Sequence, residues 1–154
     1  VVGTFAVGGL PAGIAFDGAN IWVTNTGSAN LTELNASTGA TLGTFSVGSG
    51  PEGIAFDGAH IWVANNGSNN VTELNTSTGA VLGTFSVGSG PLGIAFDGAH
   101  IWVANANSNN VTELNASTGA NLGTFPAGSN PLGVAFDGAN IWVVNHGSGT
   151  MSKL

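Results

Sequence analysis

The 154-residue chain is long enough to form one ordinary domain with a core, yet only 6% of its residues are charged, against roughly 25% in typical soluble domains. A net charge of −7, with Lys153 as the single lysine or arginine, argues against nucleic acid and anionic membranes as partners. The sequence has no cysteine and no apolar run of the ~18–20 residues that cross a bilayer, which excludes disulfides and makes membrane insertion unexpected.

The first predicted element is a strand in residues 1–10, where VVGTFAV is similar to the later segment VLGTFSV (81–87). Three repeats of 40 residues follow, at 11–50, 51–90 and 91–130, and residues 131–154 form a shorter last copy. The same residue types recur at this spacing: Pro11, Pro51, Pro91 and Pro131; Asp17, Asp57, Asp97 and Asp137; Trp22, Trp62, Trp102 and Trp142. A period near 40 is typical of propeller blades and of two-helix repeats.

Within a repeat, frequent glycine and the lack of helical periodicity exclude helices. Four β-rich runs remain, which in the second copy are 53–57, 60–65, 70–74 and 81–87. Asp57-Gly58 predicts a tight hairpin between the first two runs, and NTSTGA predicts a turn between the last two. Each repeat is therefore predicted to be a four-stranded antiparallel blade of an all-β propeller. We expect the tryptophans to fill the gaps between stacked blades.

The last copy, 131–154, contains three predicted strands, and residues 1–10 supply a spare fourth strand. We expect this strand to complete the last blade, because propellers close their ring in this way and remove exposed edges. Blades of 40 residues with small inner side chains suit a ring of eight better than a ring of four. The sequence therefore predicts a homodimer that forms one eight-bladed ring by strand exchange. A closed four-bladed monomer and an open-ended filament are the alternatives.

The runs WVAN (62–65), GSNNV (67–71), STG (77–79) and VGSGPLGIAFD (87–97) resemble the YVTN-type repeats of bacterial and archaeal surface proteins. They are also similar to NHL and virginiamycin B lyase-like repeats. The resemblance covers essentially the whole chain and implies a propeller. It implies no single function, because such propellers serve as adhesins, scaffolds, binding platforms and occasionally enzymes. A location outside the cell or at its surface is expected from the surface-protein resemblance.

One predicted face of the propeller combines loops such as 47–53 and 65–70, rich in Gly, Ser and Asn. Neutral amides and hydroxyls suit sugar hydroxyls or a peptide backbone, although the same residues also simply form turns. The candidate ligand-binding residues are Asn65, Asn66, Asn69, Asn70, Asn105 and Asn107.

The aspartates that recur at each first hairpin could form a ring that binds a hard cation, but the hairpin role is the stronger prediction. His60 and His100 replace Asn20 and Asn140 of the outer copies, which indicates a hydrogen-bonding role beside the turn. Two histidines without a third ligand or an acidic partner predict no metal site. The charges of Glu33, Glu73 and Glu113 are expected to lie at a solvated edge. The metal-ligating alternative comprises Asp17, Asp57, Asp97 and Asp137.

No nucleophile–base triad, phosphate loop or nucleotide fingerprint occurs in the sequence, so we expect neither an enzyme nor a cofactor. The favoured function is a non-catalytic extracellular propeller that acts as scaffold, self-assembly unit or binding platform for glycan or protein. The alternative is a lyase-like or hydrolase-like enzyme with its site on the Asn-rich loop face.

Overall fold

A computed structural model describes residues 2–154 and is entirely β within that range. Four antiparallel sheets follow one another along the chain, which we number as blades 1 to 4. Blade 1 contains β1 (Pro11–Phe16), β2 (Asn20–Asn25), β3 (Asn30–Asn35) and β4 (Thr41–Ser46). Blade 2 contains β5 (Pro51–Phe56), β6 (His60–Asn65), β7 (Asn70–Asn75) and β8 (Val81–Ser86). Blade 3 contains β9 (Pro91–Phe96), β10 (His100–Asn105), β11 (Asn110–Asn115) and β12 (Asn121–Pro126). Blade 4 contains β13 (Pro131–Phe136), β14 (Ile141–Asn145) and β15 (Thr150–Lys153).

The turns that separate the strands are those the sequence predicts. Gly58 has a φ of +101°, which glycine adopts at little cost, and the backbone N–H of Asp57 donates to the carbonyl of His60 at 3.1 Å. The next pair of strands runs in register, with Trp62 opposite Glu73. The four predicted runs of the second copy agree with β5 to β8, so the prediction of a four-stranded antiparallel blade is confirmed.

The core lies between consecutive blades. One cluster joins Trp22 and Leu31 of blade 1 to Ile61, Val63 and Leu74 of blade 2. Equivalent clusters join blade 2 to blade 3 and blade 3 to blade 4. The central strands of an inner blade therefore pack on both faces, which explains why they are apolar without strict alternation, whereas the outermost strands, such as β8, stay partly exposed.

The innermost strands pack in the order β1, β5, β9, β13, whereas β13 does not pack against β1 in this way within residues 2–154. The chain forms an open arc of four blades, and the closed four-bladed monomer is not what the structure shows.

The predicted pairing of residues 1–10 with the last blade is not formed within the chain. Residues 2–7 adopt no regular strand, and blade 4 keeps three strands, in the order β13, β14, β15. The physical reason is the open arc, since residues 2–10 are held against blade 1, whereas β15 belongs to the blade at the other end. Val1 lies outside the described residues.

Candidate functional site

The two ends of the blades carry different chemistry. The loop face combines the loops that lead into each blade, such as 47–50, with the turns after each second strand, such as 66–69. The turn face carries the Asp-Gly hairpins, such as 57–59, and the turns before each fourth strand, such as 76–80. Strand register fixes this division, because Pro51 lies opposite Asn65 at one end and Phe56 lies opposite Ile61 at the other.

Two of the candidate ligand-binding residues, Asn65 and Asn105, are completely buried. The Asn65 Nδ2 atom donates to Asn70 Oδ1 and to Thr72 Oγ1, each at 2.8 Å, and Asn105 repeats both contacts in blade 3. These two side chains tie the second strand to the third and cannot touch a ligand at the surface. Their prediction as ligand-binding residues is therefore wrong, because composition alone does not distinguish a buried amide from an exposed one.

The other four candidates lie at or near the surface of the loop face. Asn69 has a φ of +55° and its Oδ1 accepts a hydrogen bond from the Gly90 N–H at 2.8 Å, while Asn66 Nδ2 donates to the Pro91 carbonyl at 3.4 Å. Both contacts join blade 2 to the loop that enters blade 3. Asn70 is half-buried and Asn107 is exposed. These residues shape the loop face, and their binding role stays a prediction.

A cavity of about 360 Å³ opens where the innermost strands begin. Leu92 and Leu132 give it an apolar wall, and Glu52 contributes its one carboxylate. The Thr26 hydroxyl donates to Glu52 Oε1 at 3.5 Å, which ties this acid to the loop face of blade 1. The size falls within the range of small-ligand pockets, and the lining offers apolar contact together with a single acceptor.

Both carboxylate oxygens of the recurring aspartate on the turn face accept hydrogen bonds. Asp57 Oδ1 accepts hydrogen bonds from the N–H groups of Ala59 and His60 at 2.8 and 2.7 Å, and Oδ2 accepts one from Trp62 Nε1 at 2.7 Å. The same contacts to backbone and tryptophan occur at the other three aspartates, Asp17, Asp97 and Asp137. Burial opposes ionisation of Asp57, but these hydrogen bonds outweigh burial and hold its pKa below the usual 3.8.

These hydrogen bonds support the hairpin interpretation and leave the metal alternative for Asp17, Asp57, Asp97 and Asp137 without support. Within residues 2–154, no group of three or more His, Asp or Glu side chains has the geometry to hold a metal ion. The bond from tryptophan to aspartate was not predicted from the sequence. Its signal was the constant spacing of five residues between the two side chains in all four copies.

The histidines do have acidic neighbours, contrary to the prediction. His60 Nδ1 lies 3.2 Å from Glu73 Oε1 and 3.4 Å from Asp57 Oδ2, and His100 has the equivalent neighbours in blade 3. Burial raises the pKa of Glu73, and the charge of His60 lowers it to a smaller extent. A hydrogen-bonding role for the histidines is confirmed at His100, where Nδ1 lies 3.2 Å from Asp97 Oδ2 with hydrogen-bonding geometry.

In blade 1 an asparagine takes the place of histidine. Asn20 Nδ2 donates to Glu33 Oε1 at 2.7 Å, and only 8% of Glu33 is exposed. The expectation of a solvated edge is therefore wrong for Glu33, because this carboxylate lies opposite Trp22 inside the sheet and is paired across it.

The cluster around His60 borders a groove of about 360 Å³ between blades 2 and 3, with Phe96 and Ala116 on its other side. It lies on the turn face, opposite the Asn-rich loops. Among the described residues, there is no helix of sufficient length and hydropathy to span a membrane.

No protein-family model matches the chain, and no curated protein sequence matches it. Solved structures do match. The computationally designed protein Ika4 aligns over 98% of this chain and 94% of its own, with a TM-score of 0.86 and 14% identity. Streptogramin B lyase aligns over 93% of this chain with a TM-score of 0.71 and 21% identity. The fold is a β-propeller.

The designed protein Ika8 also matches, with a TM-score of 0.81 and 15% identity over 93% of this chain. The chain spans 45% of the Ika8 chain and 53% of the lyase chain, which is about half their length. At these identities the similarities establish the fold and no activity.

Proposed function

We propose that this propeller is a non-catalytic binding platform of the YVTN type, located outside the cell or at its surface, with the loop face and its central cavity as the binding site. The observation that carries the proposal is the chemistry of that face. It presents neutral amides and hydroxyls around a cavity with apolar walls and one carboxylate. Such groups suit the hydroxyls of a neutral glycan or the backbone of a peptide.

The electrostatics favour a neutral or cationic ligand over an anionic one. The chain has a net charge of −7, and Glu52 lies in the cavity wall. An anionic sugar such as a sialylated glycan would meet repulsion there, whereas a neutral oligosaccharide would not. The location outside the cell rests on the resemblance to surface-protein repeats.

Catalysis has little support on the loop face, where the enzyme alternative would place it. The acid–base cluster that the structure contains, His60 with Asp57 and Glu73, lies on the opposite face. One of its three members, Asp57, also has a structural role, since its carboxylate is bound by Trp62 and by the hairpin backbone. A general base needs a free lone pair that can accept the reacting proton, and the Asp57 carboxylate does not offer one because its oxygens already accept these hydrogen bonds.

An array of neutral and sialylated oligosaccharides tests the proposal. We expect binding of neutral glycans that is weakened at least about tenfold by Asn107→Ala, which removes a polar side chain from the face, or by Glu52→Gln, which replaces the one charged acceptor of the cavity with a neutral amide. Ser77→Ala, on an exposed turn of the opposite face, is the matched control and should bind normally. Equal loss in the control, or preference for sialylated glycans, would contradict the proposal.

A further inference from the structure

The two end blades of the arc expose apolar surface that inner blades bury. On blade 1, Ile14 is 69% exposed and Phe16 is 55% exposed. Their counterparts in blade 2, Ile54 and Phe56, pack against the core cluster shared with blade 1. The surface of blade 1 thus has the composition of a blade–blade interface, and no blade within residues 2–154 covers it.

Blade 4 is uncovered on its opposite surface. Val144 is 45% exposed and Met151 is 60% exposed. The residues at the same positions in blade 2, Ala64 and Val71, are completely buried by blade 3. The surface of blade 4 therefore matches the one on which a following blade packs.

A glycine in β13 indicates that another innermost strand should pack next to it. In β5, a Cβ at Gly53 would clash with the Leu92 carbonyl oxygen of the next blade, and at Gly93 it would clash with the Leu132 carbonyl. These glycines let consecutive innermost strands approach closely. A Cβ at Gly133 meets only Val144 Cγ2, at 4.0 Å. The space beside Gly133 is therefore large enough for a carbonyl oxygen, and no residue within 2–154 fills it. In the first blade, the position of Leu92 and Leu132 is held by Ala12, so the Ala12 carbonyl is the group that would fit there.

Residues 2–10 are held as the end of a preceding blade would be. The N–H groups of Thr26 and Gly27 donate to the carbonyls of Leu10 and Gly9 at 3.0 and 2.9 Å, as those of Asn66 and Gly67 do to Gly50 and Ser49. The Phe5 ring covers Gly39, in the same way as Phe45 covers Gly79 and Phe85 covers Gly119. The segment therefore contacts blade 1 as the fourth strand of one inner blade contacts the blade that follows it.

We propose that blade 1 of a second copy of this chain packs on blade 4 of the first, and that the reciprocal contact closes a two-chain, eight-bladed ring. The same placement sets residues 2–7 of the second copy beside β15 as the fourth strand of blade 4. It also sets Phe5 of the second copy over Trp142, in the way that Phe45 packs at a tilt on Trp22 in blade 1 with 5.4 Å between ring centroids. The ring deepens the proposed function, because it joins two half-cavities around one axis.

The interface is a repeat of one that the chain already contains three times, and its size is sufficient. A four-stranded blade of six residues per strand measures about 20 Å by about 19 Å. Each of the two junctions buries two such surfaces. If the blades are treated as flat rectangles, the ring buries on the order of 1,500 Å² in total, which lies within the ~1,200–2,000 Å² of stable interfaces.

Native mass spectrometry of the 154-residue chain at micromolar concentration tests the ring. We expect a species of twice the 15.1 kDa chain mass that persists on dilution. A stable 15.1 kDa species would overturn the proposal, and so would a ladder of larger species, which indicates an open filament. A monomer that binds neutral glycans would refute the ring and leave the binding platform standing, whereas a dimer that binds nothing would do the reverse.

Gly133→Ala provides the sharper test. The added methyl has space within one chain but would clash with the Ala12 carbonyl of a second copy, so we expect a folded protein with a dissociation constant raised roughly 100-fold. Ser117→Ala, on an exposed turn of blade 3, should leave the dimer intact. Circular dichroism checks the fold of both variants. A folded Gly133→Ala protein with unchanged dimerisation would overturn the proposed packing. If that variant does not fold, deletion of residues 1–8 provides the test, and a dimer that survives this deletion would overturn the proposal.

Discussion

Trp62 Nε1 donates a hydrogen bond to Asp57 Oδ2 at 2.7 Å, and this bond joins the core between the blades to the hairpin at their edge. The indole is completely buried, so the carboxylate satisfies the one polar atom of an otherwise apolar side chain. The other Asp57 oxygen fixes the hairpin backbone. Because the bond recurs in every blade, it couples turn geometry to packing throughout the arc.

Replacement of Asp57 by asparagine should therefore destabilise the protein. In Asp57→Asn, an amide N–H₂ would face the Trp62 N–H, and a buried donor would lose its acceptor. We expect a loss of about 1–3 kcal/mol in the free energy of unfolding, measured by chemical denaturation. Glu52→Gln removes a carboxylate outside this network and is the control. Equal stability of Asp57→Asn and the control would show that the bond contributes little.

Stability should fall in acid, below about pH 4. Hydrogen bonds hold the pKa of Asp17, Asp57 and Asp97 below 3.8 in the folded protein despite their burial, so the unfolded chain takes up protons first as the pH falls. Burial raises the pKa of Glu33 and Glu73 above 4.5, which has the opposite sign and lowers stability as the pH rises past that value. Thermal unfolding should show greatest stability near pH 4–5, and a monotonic rise in stability down to pH 2 would contradict these assignments.

Substitution of the buried tryptophan should be costly. Trp62 stacks on Phe85 with ring centroids 5.6 Å apart and is completely buried. We expect Trp62→Ala to lose about 3–5 kcal/mol of unfolding free energy and Trp62→Phe to lose less. The burial confirms the core role predicted for Trp22 and Trp62. Ready quenching of their fluorescence by iodide would be inconsistent with it.

His60→Asn should be tolerated, since the chain already contains that arrangement. In blade 1, Asn20 occupies the position that His60 holds in blade 2, and its Nδ2 donates to Glu33 Oε1 at a distance of 2.7 Å. We expect little change in stability at pH 7 for His60→Asn and a loss of about 1 kcal/mol for His60→Ala, which leaves Glu73 without this neighbour. Denaturation midpoints of the two variants would reveal the difference. A His60→Asn variant as unstable as His60→Ala would exclude a hydrogen-bonding role.

The strands of each blade were predictable because local chemistry determines them. Asp57-Gly58 marks a turn wherever it occurs between β-rich runs, and the period of 40 repeats this information. Burial on the loop face was not predictable in the same way. An asparagine such as Asn65 has one local signature whether it caps a turn, ties two strands together or faces a ligand.

Local chemistry does not determine whether residues 2–7 complete the last blade of their own chain or that of a second copy. The sequence predicts a fourth-strand position for this segment, and the Phe5 ring covers Gly39 as Phe45 covers Gly79. Which blade it completes depends on whether the ring closes within one chain, and closure is set by the angle between blades. That angle depends on how side chains such as Trp62 and Phe96 fill each interblade gap, which a repeat pattern does not encode.

Cross-linking across the proposed junction is a direct test of the eight-bladed ring, because the chain has no cysteine of its own. In blade 1, Thr32 pairs with Thr44, and the equivalent positions across the junction are Ser152 of one copy and Thr4 of the other. Facing strand residues lie within the ~4.4–6.8 Å between Cα atoms that a disulfide requires. Oxidised Thr4→Cys/Ser152→Cys protein should form one covalent dimer on a non-reducing gel. A cross-linked monomer would show that the chain closes on itself, a ladder would show a filament, and either result would contradict the eight-bladed ring.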